Sequence, residues 1–174
     1  MNLLILQIIQ VFIFFLPAAF ANMAPVLFKK INFLNKPINS KLFGSHKTYR
    51  GFLFGILIAI LIVCIQYLLL DFLAYYYIID YAEVNLILLG FLLGFGALLG
   101  DLVKSFFKRK LDIAPGKSWP VFDQIDWILG SIIVLNFYVY LSFKFNLIAI
   151  VLFGVLHPIV NYIGYILKIK KNKF

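Results

Sequence analysis

The sequence predicts an all-α, polytopic integral membrane protein with five transmembrane helices, its N-terminus outside and its C-terminus cytoplasmic. Three observations predict it. Of 174 residues, 64% are hydrophobic and only 13% charged, against about 45–50% apolar and about 25% charged in soluble domains. Five apolar runs approach the roughly 20 residues that a helix needs to cross the hydrocarbon. The Lys and Arg residues gather in alternate connections between those runs. Too little polar surface remains to coat a water-facing globule, which excludes a soluble enzyme, a disordered chain and a disulfide-stapled secreted domain. The lone Cys64 lies within an apolar run and has no intrachain partner.

The expected spans are residues 3–27, 51–70, 84–103, 125–143 and 145–167, within one domain covering residues 1–174. The first contains Pro17 and Pro25, which predict a kink or an early end near Asn22. Ala19-Phe20-Ala21 imitates a signal-peptidase site, but Met1-Asn2-Leu3 supplies no positive flank, so a cleaved leader is not expected. All of the sixteen Lys and Arg residues except Lys144 fall in the expected loops 28–50 and 104–124 or in the C-terminal tail. The positive-inside rule makes both loops cytoplasmic. The net charge of +9 is thereby explained by orientation and anionic lipid headgroups, and no nucleic-acid partner is expected. Tyr75, Tyr76, Tyr77 and Tyr81 read as an aromatic belt at the outer interface. There is no internal repeat, and nothing in the pattern signals an oligomeric state.

The third span carries Gly90, Gly94, Gly96 and Gly100 in two small-xxx-small faces, which suit close helix packing. Asp101 follows directly, at the expected cytoplasmic boundary, where an unpaired carboxylate is costly. The next connection brings Lys104, Ser105, Lys108, Arg109, Lys110 and Lys117, then Asp123 and Asp126. The last two share one face if helical. One acid there is explained as a helix cap; two on one face call for a cation between them. Asp101, Asp123 and Asp126 beside clustered cations therefore describe a Mg²⁺ site next to a polyphosphate site. Topology charges plus helix caps account for the same residues. Asn22, and His157 with Asn161 four residues on, are intramembrane polar groups that serve either a site or interhelical hydrogen bonding.

The pattern Gly100-Asp101-xxx-Ser105-xx-Lys108-Arg109, Pro115-Gly116, and Asp123-Gln124-Ile125-Asp126 resembles the CDP-archaeol synthase family, membrane cytidylyltransferases related to CDP-diacylglycerol synthases. The resemblance takes in the Pro17–Pro25 segment with Asn22, the His46–Gly51 entry to span 2 and the His157–Asn161 pair, so it covers nearly the whole chain. No Lys-Asp pair follows Lys108-Arg109 and no His-Gly-Gly precedes Asp123. Those departures favour the archaeol-type branch over the wider group.

The resemblance implies Mg²⁺-dependent transfer of CMP from CTP to a membrane lipid phosphate, 2,3-bis-O-geranylgeranylglycerol 1-phosphate in the archaeal family, with release of pyrophosphate at the cytoplasmic face of the cell membrane. A lipid phosphate is already ionised at neutral pH, so no protein nucleophile is required. The obstacle is repulsion between two anions, which Lys, Arg and metal overcome. The expected roles follow. Asp101, Asp123 and Asp126 hold the metal. Lys108 and Arg109 grip the triphosphate, with Lys104 or Lys110 in support. Ser105 bonds a phosphate or orients a carboxylate, and Gly116 admits the nucleotide unless Pro115-Gly116 is a plain turn. His46, Lys47 and Arg50 close over the nucleotide or hold the lipid phosphate, Asn22 is a further binding residue, and the small-residue face of span 3 with the inner end of span 1 forms a groove for the lipid tails.

The alternative from another class is a small membrane transporter or channel subunit, for which ionisable groups near the midplane are expected; here they collect at the boundary. A non-catalytic scaffold gives no reason for the three aspartates to converge. A CDP-alcohol phosphotransferase needs an Asp-Gly pair and acids with three intervening residues, which this chain lacks.

Overall fold

The computed structural model describes residues 2–114 and 117–168. It contains α1 (Leu3–Leu27), α2 (Ser40–Phe43), α3 (Tyr49–Leu68), α4 (Leu70–Leu73), α5 (Leu86–Lys110), α6 (Phe122–Leu135) and α7 (Phe143–Ile166), with a short 3-10 turn at Ala74–Tyr76. No strand occurs among the described residues. An isolated antiparallel bridge joins Pro37 to Thr48. Four helices, α1, α3, α5 and α7, are long and apolar enough to cross a bilayer.

Helix α1 keeps the expected limits but does not end near Asn22; it continues through both prolines to Leu27. A proline inside a helix frees the carbonyl four residues earlier. For Pro17 that is Ile13, and the Gln66 side chain of α3 donates to it at 2.6 Å. Gln66 also ties the opposite end of the bundle from the aspartates: its carbonyl accepts from Tyr77 Oη at 2.6 Å and its Oε1 accepts from Tyr81 Oη at 3.1 Å. Tyr77 and Tyr81 are therefore buried members of the core, correcting the expected surface belt, because a phenol with an internal acceptor loses nothing by leaving the interface. Tyr75 remains exposed. Replacing Gln66 by Leu strands the Ile13 carbonyl and the Tyr81 hydroxyl and is expected to lower stability by about 1–3 kcal/mol, measured as a shifted unfolding transition in detergent.

Helix α5 runs seven residues past the expected end of its span at 103. Lys104, Ser105, Lys108 and Arg109 are thus on a helix and not in a loop. Nothing from 101 to 110 breaks a helix, and three basic residues in the last turn complement its negative end. Helix α6 is shorter than its expected span, 14 residues, or about 21 Å at ~1.5 Å per residue. The chain then turns at 136–142, where Asn136 Oδ1 accepts the Leu141 N–H at 3.4 Å.

The two glycine faces of α5 meet different helices. A Cβ on Gly94 would lie 2.7 Å from the Ala59 Cβ of α3, and one on Gly96 would lie 2.8 Å from the Gly130 carbonyl of α6. These faces are filled by helix, so the expected lipid-tail cradle on span 3 is corrected: glycine there lets backbones approach and leaves no groove. Helix α7 packs least, with 11% of its most apolar stretch buried against 39% for α5.

Candidate active site

The ends of five helices converge on one cavity of about 520 Å³. Its lining alternates in polarity along the chain: the C-terminal part of α1 (Asn22, Pro25), the start of α3 (Thr48, Arg50), the end of α5 (Asp101, Lys104, Lys108), the start of α6 (Asp123, Asp126) and the C-terminal half of α7 (His157, Asn161). On α5, positions 101, 104 and 108 fall on one face. On α6, Asp123 and Asp126 do the same. Gly100 and Gly130 press the two faces together: a Cβ on Gly100 would collide with the Asp126 carbonyl oxygen.

The three aspartates meet on one ammonium group. Lys104 Nζ lies 2.9 Å from Asp101 Oδ1, 3.1 Å from Asp123 Oδ1 and 2.9 Å from Asp126 Oδ2. Lys47, carried in by the 28–48 connection, donates to Asp101 Oδ2. Lys108 Nζ sits 3.2 Å from both Asp123 oxygens and donates to the Lys117 carbonyl. Burial pushes the Asp123 carboxyl up, but the Trp119 N–H and the Lys104 and Lys108 ammonium groups outweigh it and hold it below the usual carboxylate range. The Trp119 N–H donates to Asp123 Oδ2 at 2.5 Å, so Asp123 fastens the 117–121 turn in place of capping α6, whose N-cap position is Val121.

Comparison with known proteins settles the family. The chain matches the CarS-like CDP-archaeol synthase family over residues 2–174. The CDP-archaeol synthase of Methanocaldococcus jannaschii is 40% identical over 134 residues, covering 75% of this chain and 74% of that protein. That of Pyrobaculum islandicum is 32% identical over 177 residues, covering 96% and 99%. The chain belongs to the CDP-archaeol synthase family. A solved structure of an intramembrane enzyme for archaeal membrane lipid biosynthesis superposes with a TM-score of 0.67 at 25% identity, covering 86% of this chain and 90% of that one. The protein is accordingly a multi-pass membrane enzyme.

For a member of the CDP-archaeol synthase family a divalent metal is implied, and the donor set can be tested for fit. Both Asp126 side-chain oxygens are buried and accept no hydrogen bond, although Lys104 stands at ion-pair distance from one of them. Hard carboxylate oxygens with spare acceptor capacity suit Mg²⁺. Among the described residues no three acidic, His or Cys groups are drawn close enough to enclose an ion. The spacing explains this: oxygens about 3 Å from an ammonium must move inward to reach the roughly 2.0–2.1 Å of a Mg²⁺ shell. The donor chemistry fits the ion, and the Lys104 ammonium holds the place between the three carboxylates.

The other expected site residues divide. Asn22 and Lys47 line the cavity with Lys104 and Lys108. Ser105 is buried and its hydroxyl donates to the Asp101 carbonyl at 2.7 Å, one turn back along α5. Arg109 projects about 100° around the helix from Lys108 and is absent from the cavity lining. Gly116 lies outside the described residues. Arg50, expected with His46 and Lys47 to close over the nucleotide or hold the lipid phosphate, lines the cavity, and so do Lys29 and Lys117, to which the sequence assigned no role in the site. Arg50 is 5% exposed and donates Nη1 to the Lys29 carbonyl at 3.0 Å and to the Ile31 carbonyl.

Proposed function

We propose that the cavity binds CTP and the phosphate of a membrane glycerolipid, most specifically 2,3-bis-O-geranylgeranylglycerol 1-phosphate, and that CMP passes to the lipid with release of pyrophosphate. The observation that carries this reading is the carboxylate–lysine cluster of Asp101, Asp123, Asp126, Lys104 and Lys108 at the inner ends of apolar helices. An anionic nucleotide and a lipid head group need such a place to meet. Purified protein given Mg²⁺, labelled CTP and the lipid phosphate is expected to release pyrophosphate and yield a labelled lipid. No labelled lipid with either an isoprenyl or an acyl lipid phosphate overturns the reading.

Asp101, Asp123 and Asp126 would hold Mg²⁺, which when bound supplies charge for the departing pyrophosphate. Lys108 and Lys104 draw in the triphosphate oxygens and offset the repulsion that the lipid phosphate meets at the α-phosphate. Lys47, Lys29 and Arg50 line the same cavity and orient the second anion. The attacking oxygen is already deprotonated at neutral pH, so these residues position and neutralise and remove no proton.

The lipid tails leave along the seam between α1 and α7. A small crevice there, lined by Asn22, Met23, Val26, Leu27, His157, Val160, Asn161 and Gly164, shares Asn22, Val26, His157 and Asn161 with the main cavity. Further along the same two helices an apolar cleft of about 470 Å³ runs between Leu4 and Ile8 on one side and residues 147–156 on the other. Val160→Trp is expected to raise the KM for the lipid and leave that for CTP near its original value, read from initial rates with each substrate varied.

The topology is five crossings with the N-terminus outside, in one catalytic domain. Alternation of helix ends around the cavity supports it: α6 is short, yet it returns the chain from the cavity end to the far end, from which α7 begins. The Lys and Arg distribution puts the cavity on the cytoplasmic face. Cysteines placed singly at Lys41 and Lys144 in a chain with Cys64 replaced by Ala are expected to label from opposite sides of sealed vesicles; labelling from one side overturns the topology.

A further inference from the structure

Lys104 occupies a position that the proposed reaction needs for something else. Its ammonium touches all three cavity carboxylates, whereas Lys47 pairs with Asp101 and Lys108 with Asp123. The Lys104 side chain is 14% exposed, and the Asp126 side chain, for which it is the ion-pair partner at 2.9 Å, is 7% exposed. Three carboxylates converging on one point require a cation there. An ammonium and a divalent ion cannot share that point.

Lys104 also has nowhere to go on its own. The other charged groups around the cavity are Lys29, Lys47, Arg50, Lys108 and Lys117, all positive. An ammonium expelled from the carboxylates would enter a field of like charge. A triphosphate in the cavity changes this, because it brings acceptor oxygens and negative charge to the place where the lysine would swing. Lysine is suited to the move: a compact charge on a flexible four-carbon stem, where arginine would be a rigid fork.

We propose that Lys104 is a resident counter-ion which holds the three aspartates together in the nucleotide-free enzyme and moves to the triphosphate when a metal–nucleotide complex enters. The proposal rests on the reading of this cavity as the CTP site. It makes Lys104 a positioning residue that couples metal binding to nucleotide binding. Linkage makes the coupling reciprocal: nucleotide tightens metal binding as much as metal tightens nucleotide binding. The free enzyme is thereby kept from closing its aspartates around a metal before substrate is present.

The test uses full-length protein in detergent with Mn²⁺ as the probe and no nucleotide, unbound Mn²⁺ being counted by its paramagnetic resonance signal. Lys104→Gln is expected to bind Mn²⁺ about ten-fold or more tightly than the parent protein. Lys104→Arg keeps positive charge at the centre and is expected to bind no more tightly than the parent. A Lys104→Gln protein whose Mn²⁺ affinity is unchanged or weaker overturns the proposal. If that variant unfolds when purified without metal, recovery of the folded protein by Mn²⁺ in the buffer supports the proposal, since the ion then replaces the ammonium. Failure to fold in both conditions makes Lys104 a permanent structural ion pair and overturns it. Neither CTP nor lipid enters the measurement. A negative Mn²⁺ result beside normal CMP transfer sinks this proposal and spares the functional reading, whereas absent CMP transfer sinks the functional reading and with it the move to the triphosphate, whatever the Mn²⁺ result.

Discussion

Asp126→Asn is expected to lower the rate of CMP transfer by about 10²–10³-fold or more, the scale of losing a group that stabilises developing charge, with the protein still folded. The carboxylate is 93% buried by its side-chain exposure of 7%, points at Lys104 and accepts no hydrogen bond. Asparagine keeps its shape, removes the charge and leaves one acceptor oxygen in place of two. The helix around it stays anchored by Trp127 and Ile128, both in the core. The decisive comparison is kcat against elution profile and unfolding midpoint. A rate within a few-fold of the parent, with intact folding, removes Asp126 from the machinery. Asp123→Asn is expected to lose rate to a similar degree and stability in addition, because Asp123 also receives the Trp119 N–H and the Lys108 ammonium. The contrast separates a residue that serves the chemistry from one that also fastens the neighbouring turn.

Gly100→Ala is expected to destabilise the protein by about 1–3 kcal/mol, the range for forcing an extra methyl into a packed contact, and to abolish most activity. The new Cβ would run into the backbone carbonyl of Asp126 and lie 3.1 Å from the Gly130 Cα. Neither obstacle is a flexible side chain, so α5 and α6 must part. That movement carries Asp101 away from Asp126, and the loss of rate therefore exceeds the loss of stability. Gly154→Ala serves as the control, since its Cβ would lie 3.2 Å from the Cγ2 methyl of Ile125, a side chain and not backbone; its activity is expected to stay near that of the parent. Equal behaviour of the two variants would count against the close contact of α5 and α6 as the device that assembles the site.

Much of this arrangement was legible in the residues because it follows from local properties. The limits of α1 coincide with its apolar run, and α3 and α7 begin and end within two residues of theirs. The paired glycines of α5 foretold two close helix contacts, and Asp101, Asp123 and Asp126 foretold a shared cluster. What misled was also local. Pro17 signalled a break, but a distant Gln66 meets the carbonyl it frees. Lys104 and Lys108 read as loop charges beyond a span, yet the helix continues and turns them inward. Four tyrosines close in sequence looked alike, and an internal acceptor buried two of them.

Hydropathy and charge bias are sums over neighbours in the chain, and so the membrane class, the apolar helices and the gathering of charge in alternate connections were determined by the sequence alone. Contact between side chains on different helices depends on how each helix is rotated and how closely its backbone approaches the next. Packing at Gly96, Gly100 and Gly130 decides that. The tertiary structure alone therefore placed the ammonium of Lys104 amid three aspartates and left Arg109 outside the cavity, because a turn of about 100° per residue separates adjacent cations that the chain writes side by side.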